Sequence, residues 1–323
     1  MENEILQQNN PLIKEVGGRT LMPTIVSDID GTINDEQLLE ADRIGSIQPA
    51  VEAFKPWTLN GYTVSLMSSR TLPEIQEYAT RLGVVGYQIG EDGGVIALPS
   101  NITDSQLERI QAEGIEVREF QGKKVVLNSA TSVDTISEVV HRVQNETGKA
   151  ITSTVTSTPE GLQQVAGHDT LEMAKYSMAR LASAYAVEVT PEQLELLQQY
   201  MAEQGIRVLL GTHDSVVQFF GTTEEGLPAD KSAALALLNK IISIVDNVDG
   251  MLPIVFGNGK NDIPLWNMAL QMDGKAVLIP QADGKTSIPE ELIPEGVVRA
   301  TKPAGKGIAE VCDRDVKPWL QSL

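Results

Sequence analysis

A short apolar run at residues 24–27 leads directly into Asp-Ile-Asp-Gly-Thr at residues 28–32, and this junction constrains the fold more than any other feature. An apolar run that ends in a glycine turn predicts a buried strand that stops at a sheet edge. Ligands of open α/β sheets bind at the carboxyl ends of the strands. Because strand side chains alternate in direction, Asp28 and Asp30 point to one side and predict a polar site there. Taken alone, the segment would also fit an ordinary Asp-Gly turn.

Strands and helices alternate on both sides of a long middle segment. The predicted elements are, in chain order, helices over residues 47–60 and 73–83 that flank a strand over 63–67, then a helix over 231–245, then strands over 252–256, 275–279 and 297–301. This alternation is typical of an α/β protein with a doubly wound parallel sheet.

Polar residues stand at three further element boundaries of this pattern. Ser68 and Ser69 follow the strand over residues 63–67, and Lys231 begins a helix. Residues 258–262 follow the strand over residues 252–256. Each feature has an ordinary explanation, such as a helix cap or a solvated lysine. Their joint order along an α/β chain indicates one site at the carboxyl edge of the sheet.

The middle of the chain has a different pattern of predicted strands and helices. Between residues 98 and 222, short strand candidates alternate with helical runs, including helices predicted over residues 170–185 and 191–204. We therefore predict that residues 1–97 and 223–323 form a catalytic core and that residues 98–222 form an inserted α/β cap domain.

Smaller signals complete the predicted organisation. Residues 1–22 have the character of a polar leader with a Gly-Gly turn, and Asp92-Gly93 is a hairpin turn signal. Asp169 is predicted to cap a helix, with His168 beside it as a weaker candidate for substrate contact.

Charge and cysteine content exclude several classes of function. Lys and Arg number 25 and Asp and Glu number 44, so the net charge is −19. Such a surface repels nucleic acid and anionic membranes, which we do not expect as partners. The single Cys312 excludes a disulfide framework and a Cys-rich zinc site, and the three histidines, His141, His168 and His213, lie in unrelated contexts. The polar start and the lack of a long apolar run predict a cytoplasmic protein, whose oligomeric state stays open.

The ordered motifs resemble those of the haloacid dehalogenase superfamily of phosphohydrolases. The first motif matches at residues 28–32, the second at Ser68, the third at Lys231 and the fourth at residues 258–262. An insert between the second and third motifs resembles subfamily IIB, which includes sugar phosphatases. The run Ser68-Ser69-Arg70-Thr71, with Glu74, is similar to mannosyl-3-phosphoglycerate phosphatases, and residues 91–94 stand where the subfamily often has Glu-Asn-Gly.

This resemblance implies a chemistry for each motif residue. Asp28 would attack phosphorus to form an aspartyl-phosphate, and Asp30 would act as general acid and base. A Mg²⁺ ion would bring the two anionic reactants together. The implied metal ligands are Asp28, the Asp30 carbonyl, Asn258 and Asp262. The implied phosphate-binding residues are Ser68 and Lys231, and Ser69 and Asn261 are further predicted substrate-binding residues. Arg70 and Lys260 lie beside motif residues, so each is either a candidate for binding a second anionic group of the substrate, such as a carboxylate, or a solvated surface charge.

Asn258 departs from the family pattern, which usually has an aspartate at this position. An amide oxygen can still bind Mg²⁺ but lacks the charge. Metal binding could therefore be weaker, Asp262 could be the only anionic ligand from this loop, or the protein could bind a phosphorylated ligand without turnover.

The expected function is Mg²⁺-dependent hydrolysis of a small phosphorylated metabolite, a sugar phosphate or a glycosyl-3-phosphoglycerate. A phosphomutase is the alternative within the same class. A phospho-ligand binding or regulatory protein is the alternative from another class, and Asn258 is the residue that motivates it.

Overall fold

The computed structural model describes residues 12–35, 38, 42, 45–166, 168–210 and 216–323. The strands are β1 (Lys14–Val16), β2 (Arg19–Ser27), β3 (Thr63–Met67), β4 (Gln88–Gly90), β5 (Val95–Ala97), β6 (Arg118–Phe120), β7 (Lys123–Leu127), β8 (Thr152–Ser153), β9 (Ser183–Val187), β10 (Arg207–Leu210), β11 (Val216–Phe220), β12 (Gly250–Gly257), β13 (Lys275–Leu278) and β14 (Val298–Arg299).

Helices connect and cover these strands. They are α1 (Gln48–Leu59), α2 (Leu72–Leu82), α3 (Asp104–Ala112), α4 (Val133–Thr147), α5 (Pro159–Ala166), α6 (Leu171–Met178), α7 (Pro191–Glu203), α8 (Lys231–Asp246), α9 (Ile263–Gln271), α10 (Ala304–Val311) and α11 (Lys317–Ser322). Among the described residues, every helix is too short or too polar to cross a bilayer.

Ten of the described strands form one large sheet in the order β14-β13-β12-β2-β3-β4-β5-β7-β6, with β1 beside β2. The central strands β14, β13, β12, β2, β3 and β4 run parallel to one another. The middle strand β2 pairs with β12 in a register that aligns Ile25 with Ile254, and both side chains are fully buried. A nearly continuous apolar β2 is typical of a parallel strand that is covered on both faces.

Helices cover both faces of the large sheet, so its core has two layers. On one face, Phe54 and Trp57 of α1 and Tyr78 of α2 pack against the sheet. On the other face, Leu238 of α8 and Trp266 of α9 pack against Val26 and its neighbours. The predicted α/β fold with a doubly wound core is therefore confirmed.

A second, smaller sheet has the order β10-β11-β9-β8 and is antiparallel in its described pairs. Helices α4 and α7 pack on it through residues such as Val140 and Leu197, around the fully buried Phe219 of β11. This unit has its own hydrophobic core and forms the inserted cap.

The cap begins later in the chain than the sequence pattern indicates. Residues 98–222 were expected to form it, but β7 pairs with β5 and thereby extends the large sheet, and β6 pairs with β7. Helix α3 packs against α8 of the core. Near residue 98 the predicted strands become short and closely spaced. This change marks the transition from parallel to antiparallel pairing, because antiparallel neighbours need only short connections.

Three other predictions near element boundaries are wrong. The helix expected over residues 170–185 ends at Met178, and Ser183–Val187 is β9. Its Ala-rich sequence favours a helix, but pairing with β11 overrides that preference. Thr170 rather than Asp169 caps α6, because its side chain accepts a hydrogen bond from the Met173 amide. The leader includes strand β1 and the start of β2, which the predicted Gly-Gly turn connects.

Gly305 tests how closely helices α10 and α1 pack against each other. A Cβ at this position would collide with the main-chain nitrogen of Ala50 in α1. We expect Gly305→Ala to lower the free energy of unfolding by about 2 kcal/mol, because neither backbone can move away cheaply. Urea denaturation measures this value.

Gly161→Ala is the matched control, because Gly161 lies inside helix α5 and a Cβ there would make only ordinary contacts. It should raise the free energy of unfolding by about 0.5 kcal/mol. Equal stability of the two variants would contradict the packing described for Gly305.

Candidate active site

The first motif residue Asp28 lies directly after β2, at the carboxyl edge of the large sheet. Its main-chain amide donates to the carbonyl of Phe256 at the end of β12, with a distance of 2.9 Å, so the two strand ends are tied together. The Asp28 side chain is only 8% exposed. The topology therefore places the first and fourth motifs side by side, as the sequence pattern predicts.

Lys231 joins these two motifs through its side-chain nitrogen. Nζ donates to Asp28 Oδ1 at 2.7 Å and to Asp262 Oδ1 at 2.6 Å. Lys231 is 1% exposed and Asp262 is fully buried. Helix α8 begins at Lys231 because Asp230 caps it, accepting hydrogen bonds from the amides of Ser232 and Ala233. The cap thus fixes where the lysine enters the site.

Burial and charge act in opposite directions on these three groups. Burial raises the pKa of Asp28 to about 8, and the ammonium group of Lys231 opposes that rise. Burial alone would lower the pKa of Lys231, but the carboxylates of Asp262 and Asp28 raise it above its usual value. Lys231 is therefore a permanent cation that compensates buried carboxylates.

Asp262 holds the fourth-motif loop in place. Its Oδ2 accepts hydrogen bonds from the amides of Asn258 and Gly259, at 2.9 and 3.0 Å. Its other oxygen accepts from Lys231, so both oxygens have protein donors. This position orients the lysine and the loop, and the role of Asp262 as a metal ligand stays a prediction.

The oxygen atoms around Thr32 fit a hard divalent cation in type. The Thr32 hydroxyl lies 3.3 Å from Asp28 Oδ2 and 3.2 Å from Asn258 Oδ1, which brings these two predicted ligands close together. Carboxylate, amide and carbonyl oxygens are the ligands that Mg²⁺ prefers. Within the described part of the chain, no group of three or more His, Cys, Asp and Glu side chains could hold a metal. A cation here would therefore rely on Asn258 and on main-chain oxygen as well as on carboxylate.

Asp30 faces away from this cluster, toward the cap, and Arg70 binds it. The guanidinium Nε and Nη2 atoms donate to the two carboxylate oxygens of Asp30 at 2.8 and 2.9 Å. Asn34 also donates to Asp30, at 3.1 Å, and to the Tyr78 hydroxyl, at 2.9 Å. Arg70 lies over the Tyr78 ring and 3.5 Å from Glu74. Arg70 is therefore a partner of Asp30, and its predicted role in binding substrate stays a prediction.

The second motif lies on the other side of Asp28. Ser68 is 1% exposed, and its main-chain carbonyl accepts a hydrogen bond from the Asp92 amide at 3.0 Å. Ser69 is half-buried beside it. Asn261 donates to the Asp92 carboxylate at 3.3 Å, and burial raises the pKa of Asp92. Asp92 thus connects the second and fourth motifs, a position that its hairpin sequence did not indicate.

Glu91 connects the core to the cap. Its buried carboxylate accepts hydrogen bonds from the amides of Leu181, Ala182 and Ser183, at 2.8, 2.9 and 2.7 Å, and from the Ser183 hydroxyl. The predicted hairpin between β4 and β5 is confirmed, and it carries this glutamate at its tip.

A cavity of about 280 Å³ lies between core and cap. Core residues Asp30, Ser69, Arg70 and Asp92 line one wall. The cap wall includes His168, Ser177, Arg180, Tyr185 and Gln218. The Tyr185 hydroxyl lies 2.9 Å from His168 Nε2 and 3.0 Å from Ser177 Oγ, so these three side chains form one polar cluster. Core and cap therefore both present polar side chains to this cavity.

Several of these residues carry no motif signal. Asn34, Tyr78 and Tyr185 are brought to the site by tertiary packing alone. Lys260 is exposed and lies outside the cavity lining, and His141 is exposed on α4. His213 lies outside the described residues. Only the helix start near Thr170 could have drawn attention to His168.

Comparison with known proteins gives one family match, over the first part of the chain. Residues 25–121 match the family model of haloacid dehalogenase-like hydrolases, a segment that contains the first two motifs. No curated protein matches the sequence. The resemblance expected from the motifs is confirmed over this segment.

Solved structures share the fold over most of the chain. TM0651 from Thermotoga maritima is 14% identical with a TM-score of 0.56, over 90% of this chain and 97% of that chain. The subclass IIB sugar phosphatase BT4131 is 13% identical with a TM-score of 0.53, over 91% and 98%. SMU.1108c from Streptococcus mutans is 12% identical with a TM-score of 0.50, over 91% and 98%. These likenesses show the fold, with its core and cap.

Lys231→Met tests the buried charge cluster. The variant leaves Asp28 and Asp262 without their cation, so we expect the free energy of unfolding at pH 7 to fall by about 3–5 kcal/mol. Chemical denaturation measures it. Lys240→Met removes an exposed lysine from the same helix and should change stability by less than about 0.5 kcal/mol. Similar losses in both variants would show that Lys231 does not compensate the two carboxylates.

Proposed function

We propose that this hydrolase is a phosphatase that acts on a small phosphorylated metabolite through an aspartyl-phosphate. The buried cluster of Asp28, Lys231 and Asp262 carries the proposal, because it places a carboxylate and a fixed cation together at the carboxyl edge of the sheet. Phosphoryl transfer requires positioning and charge stabilisation more than covalent chemistry from the protein. An anchored lysine beside the nucleophile provides both.

Asp28 is the proposed nucleophile. An Asp28 oxygen bonds to phosphorus while the bond between phosphorus and the leaving oxygen breaks. Lys231, which donates to Asp28 Oδ1, also lies close enough to neutralise a phosphoryl oxygen. Ser68 and Asn261 are the proposed hydrogen-bond donors to the remaining oxygens. Water then attacks phosphorus, phosphate leaves, and Asp28 is regenerated.

Asp30 is the proposed general acid and base. It lines the cavity that would hold the leaving group, so its carboxyl can give a proton to the leaving oxygen and then accept one from water. Arg70 binds both oxygens of this carboxylate in the structure. The proton transfer therefore requires Arg70 to release at least one oxygen, and Asn34 can hold the carboxylate in place meanwhile.

A divalent cation completes the proposed site. Asp28, Asn258 and the Asp30 carbonyl would hold it, and Mg²⁺ is the proposed ion because all these ligands are oxygen atoms. When bound, it would supply positive charge between the anionic nucleophile and the phosphate. Thr32 would keep Asp28 and Asn258 close to one another.

The cavity supports a small polar leaving group, such as a sugar or a glycosyl-glycerate. Its volume of about 280 Å³ suits a small molecule, and both walls carry hydrogen-bonding side chains. The single cysteine and the acidic net charge support a reducing, cytoplasmic setting without nucleic acid or membrane partners.

Phosphate release from a panel of sugar, glycerate and nucleotide phosphates tests the proposal. We expect release that requires Mg²⁺ and that falls by at least about 10³-fold in Asp28→Asn, because no other group at the site can replace the nucleophile. Trapping of radiolabelled phosphate on the wild-type protein, and not on the variant, would identify the aspartyl-phosphate. Equal release by the variant would contradict the assignment.

Asn258→Asp tests the proposed metal ligand. An added carboxylate should strengthen Mg²⁺ binding, so the concentration for half-maximal activity should fall about tenfold. The Mg²⁺-dependent rise in melting temperature should occur at correspondingly lower metal concentration. An unchanged requirement in both measurements would show that residue 258 is not a ligand.

A phospho-ligand binding protein is the second candidate, and Asn258 is the observation that favours it. This candidate predicts that phosphorylated ligands raise the melting temperature without release of phosphate. Phosphate release from any compound of the panel would exclude it.

A further inference from the structure

Arg180 is a positively charged residue of the cap, and its position bears on the charge of the substrate. It lines the cavity between core and cap, on the wall opposite Asp30 and Arg70. It lies in the connection between α6 and β9, next to the three residues whose amides bind Glu91. The attachment of the cap to the core therefore also sets the distance from Arg180 to the catalytic residues.

The guanidinium of Arg180 is held by neutral groups. Nε donates to the Ser177 carbonyl at 3.0 Å, and Nη1 donates to the Ser183 hydroxyl at 2.8 Å. The guanidinium also lies over the Tyr185 ring, 5.2 Å from its centroid. These contacts fix the plane of the group before any ligand arrives.

No carboxylate in the described part of the chain forms an ion pair with Arg180. Its Nη2 makes no hydrogen bond to a described residue. The two N–H groups of Nη2 can therefore donate hydrogen bonds to a ligand. Arg70, the other arginine of the cavity, is paired with Asp30 and Glu74. A half-buried guanidinium that is rigid and lacks a counter-ion is suited to bind an anionic oxygen group.

We propose that Arg180 binds a carboxylate on the leaving group of the phosphorylated substrate. This inference rests on the proposed function, because the leaving group enters the cavity only if phosphate binds at Asp28. The planar fork of an arginine matches the two oxygens of a carboxylate. The preferred substrate is then a phosphorylated hydroxy acid or its glycoside, and a neutral polyol phosphate binds more weakly.

Asp92 on the opposite wall favours a singly charged group. Asp92 attracts Arg180 electrostatically, but it accepts its hydrogen bond from Asn261 and forms no ion pair with Arg180 among the described residues. A second phosphate in the cavity would face Asp92, Asp30 and Glu74 with two negative charges. A carboxylate carries only one, so its repulsion by these residues is smaller.

The experiment uses two probes that differ only at one carbon. 3-Phosphoglycerate carries a carboxylate where glycerol 3-phosphate carries a hydroxymethyl group. We expect wild-type kcat/KM to favour 3-phosphoglycerate by about tenfold or more, and Arg180→Gln to abolish this preference mainly through KM. Arg180→Lys keeps the charge without the fork and should retain part of the preference. Arg142→Gln, a cap arginine whose side chain is exposed, should behave as wild type.

Binding measurements separate this inference from the proposed function. Calorimetry on Asp28→Asn, with and without Arg180→Gln, measures affinity for both probes without any turnover. Tighter binding of 3-phosphoglycerate that depends on Arg180 supports the inference even if no phosphate is released. Equal affinity for the two probes, no measurable affinity for 3-phosphoglycerate, or a preference that survives in Arg180→Gln would overturn it.

Discussion

The ammonium group of Lys231 is the contact on which the site depends. It lies in the interior with two carboxylates that belong to loops far apart in the chain, so none of the three charges would be stable there without the others. Asp230 fixes where the helix of Lys231 starts, and Asp262 fixes the fourth-motif loop through main-chain amides. The cluster therefore holds the strand ends, the helix start and the reactive carboxylate in one arrangement.

The two aspartates of the first motif have different surroundings, which suits them to the two different roles proposed above. Asp28 is buried, bonded to a lysine and close to Asn258 through Thr32. Asp30 lies at the cavity wall and is bonded to Arg70 and Asn34. One residue of separation is enough, because β2 ends at Ser27 and the alternation of a strand no longer fixes the directions of Asp28 and Asp30. The proposed nucleophile and the proposed general acid and base therefore lie within three consecutive residues.

The sequence predicts the core well because its signals are local. An apolar run, a glycine turn and a polar strand end lie within a few residues of each other, and parallel topology then brings such ends together. The beginning of the cap could not be predicted, because the pairing of β5 with β7 joins strands about 30 residues apart. The partners of Arg70 and Arg180 also depend on packing between distant segments. Hence the motif residues and a few cavity residues such as His168 were located, whereas Asn34, Tyr78, Arg180 and Tyr185 were not.

The attachment of the cap by Glu91 uses main-chain amides of residues 181–183 almost entirely. Main-chain donors are present whatever side chains these positions carry, unless one of them is proline. The side chains that line the cap wall can therefore be exchanged while this contact with the core persists. Evolution or protein engineering could therefore change the ligand specificity of this cap without changing the main-chain contacts that attach it to the core.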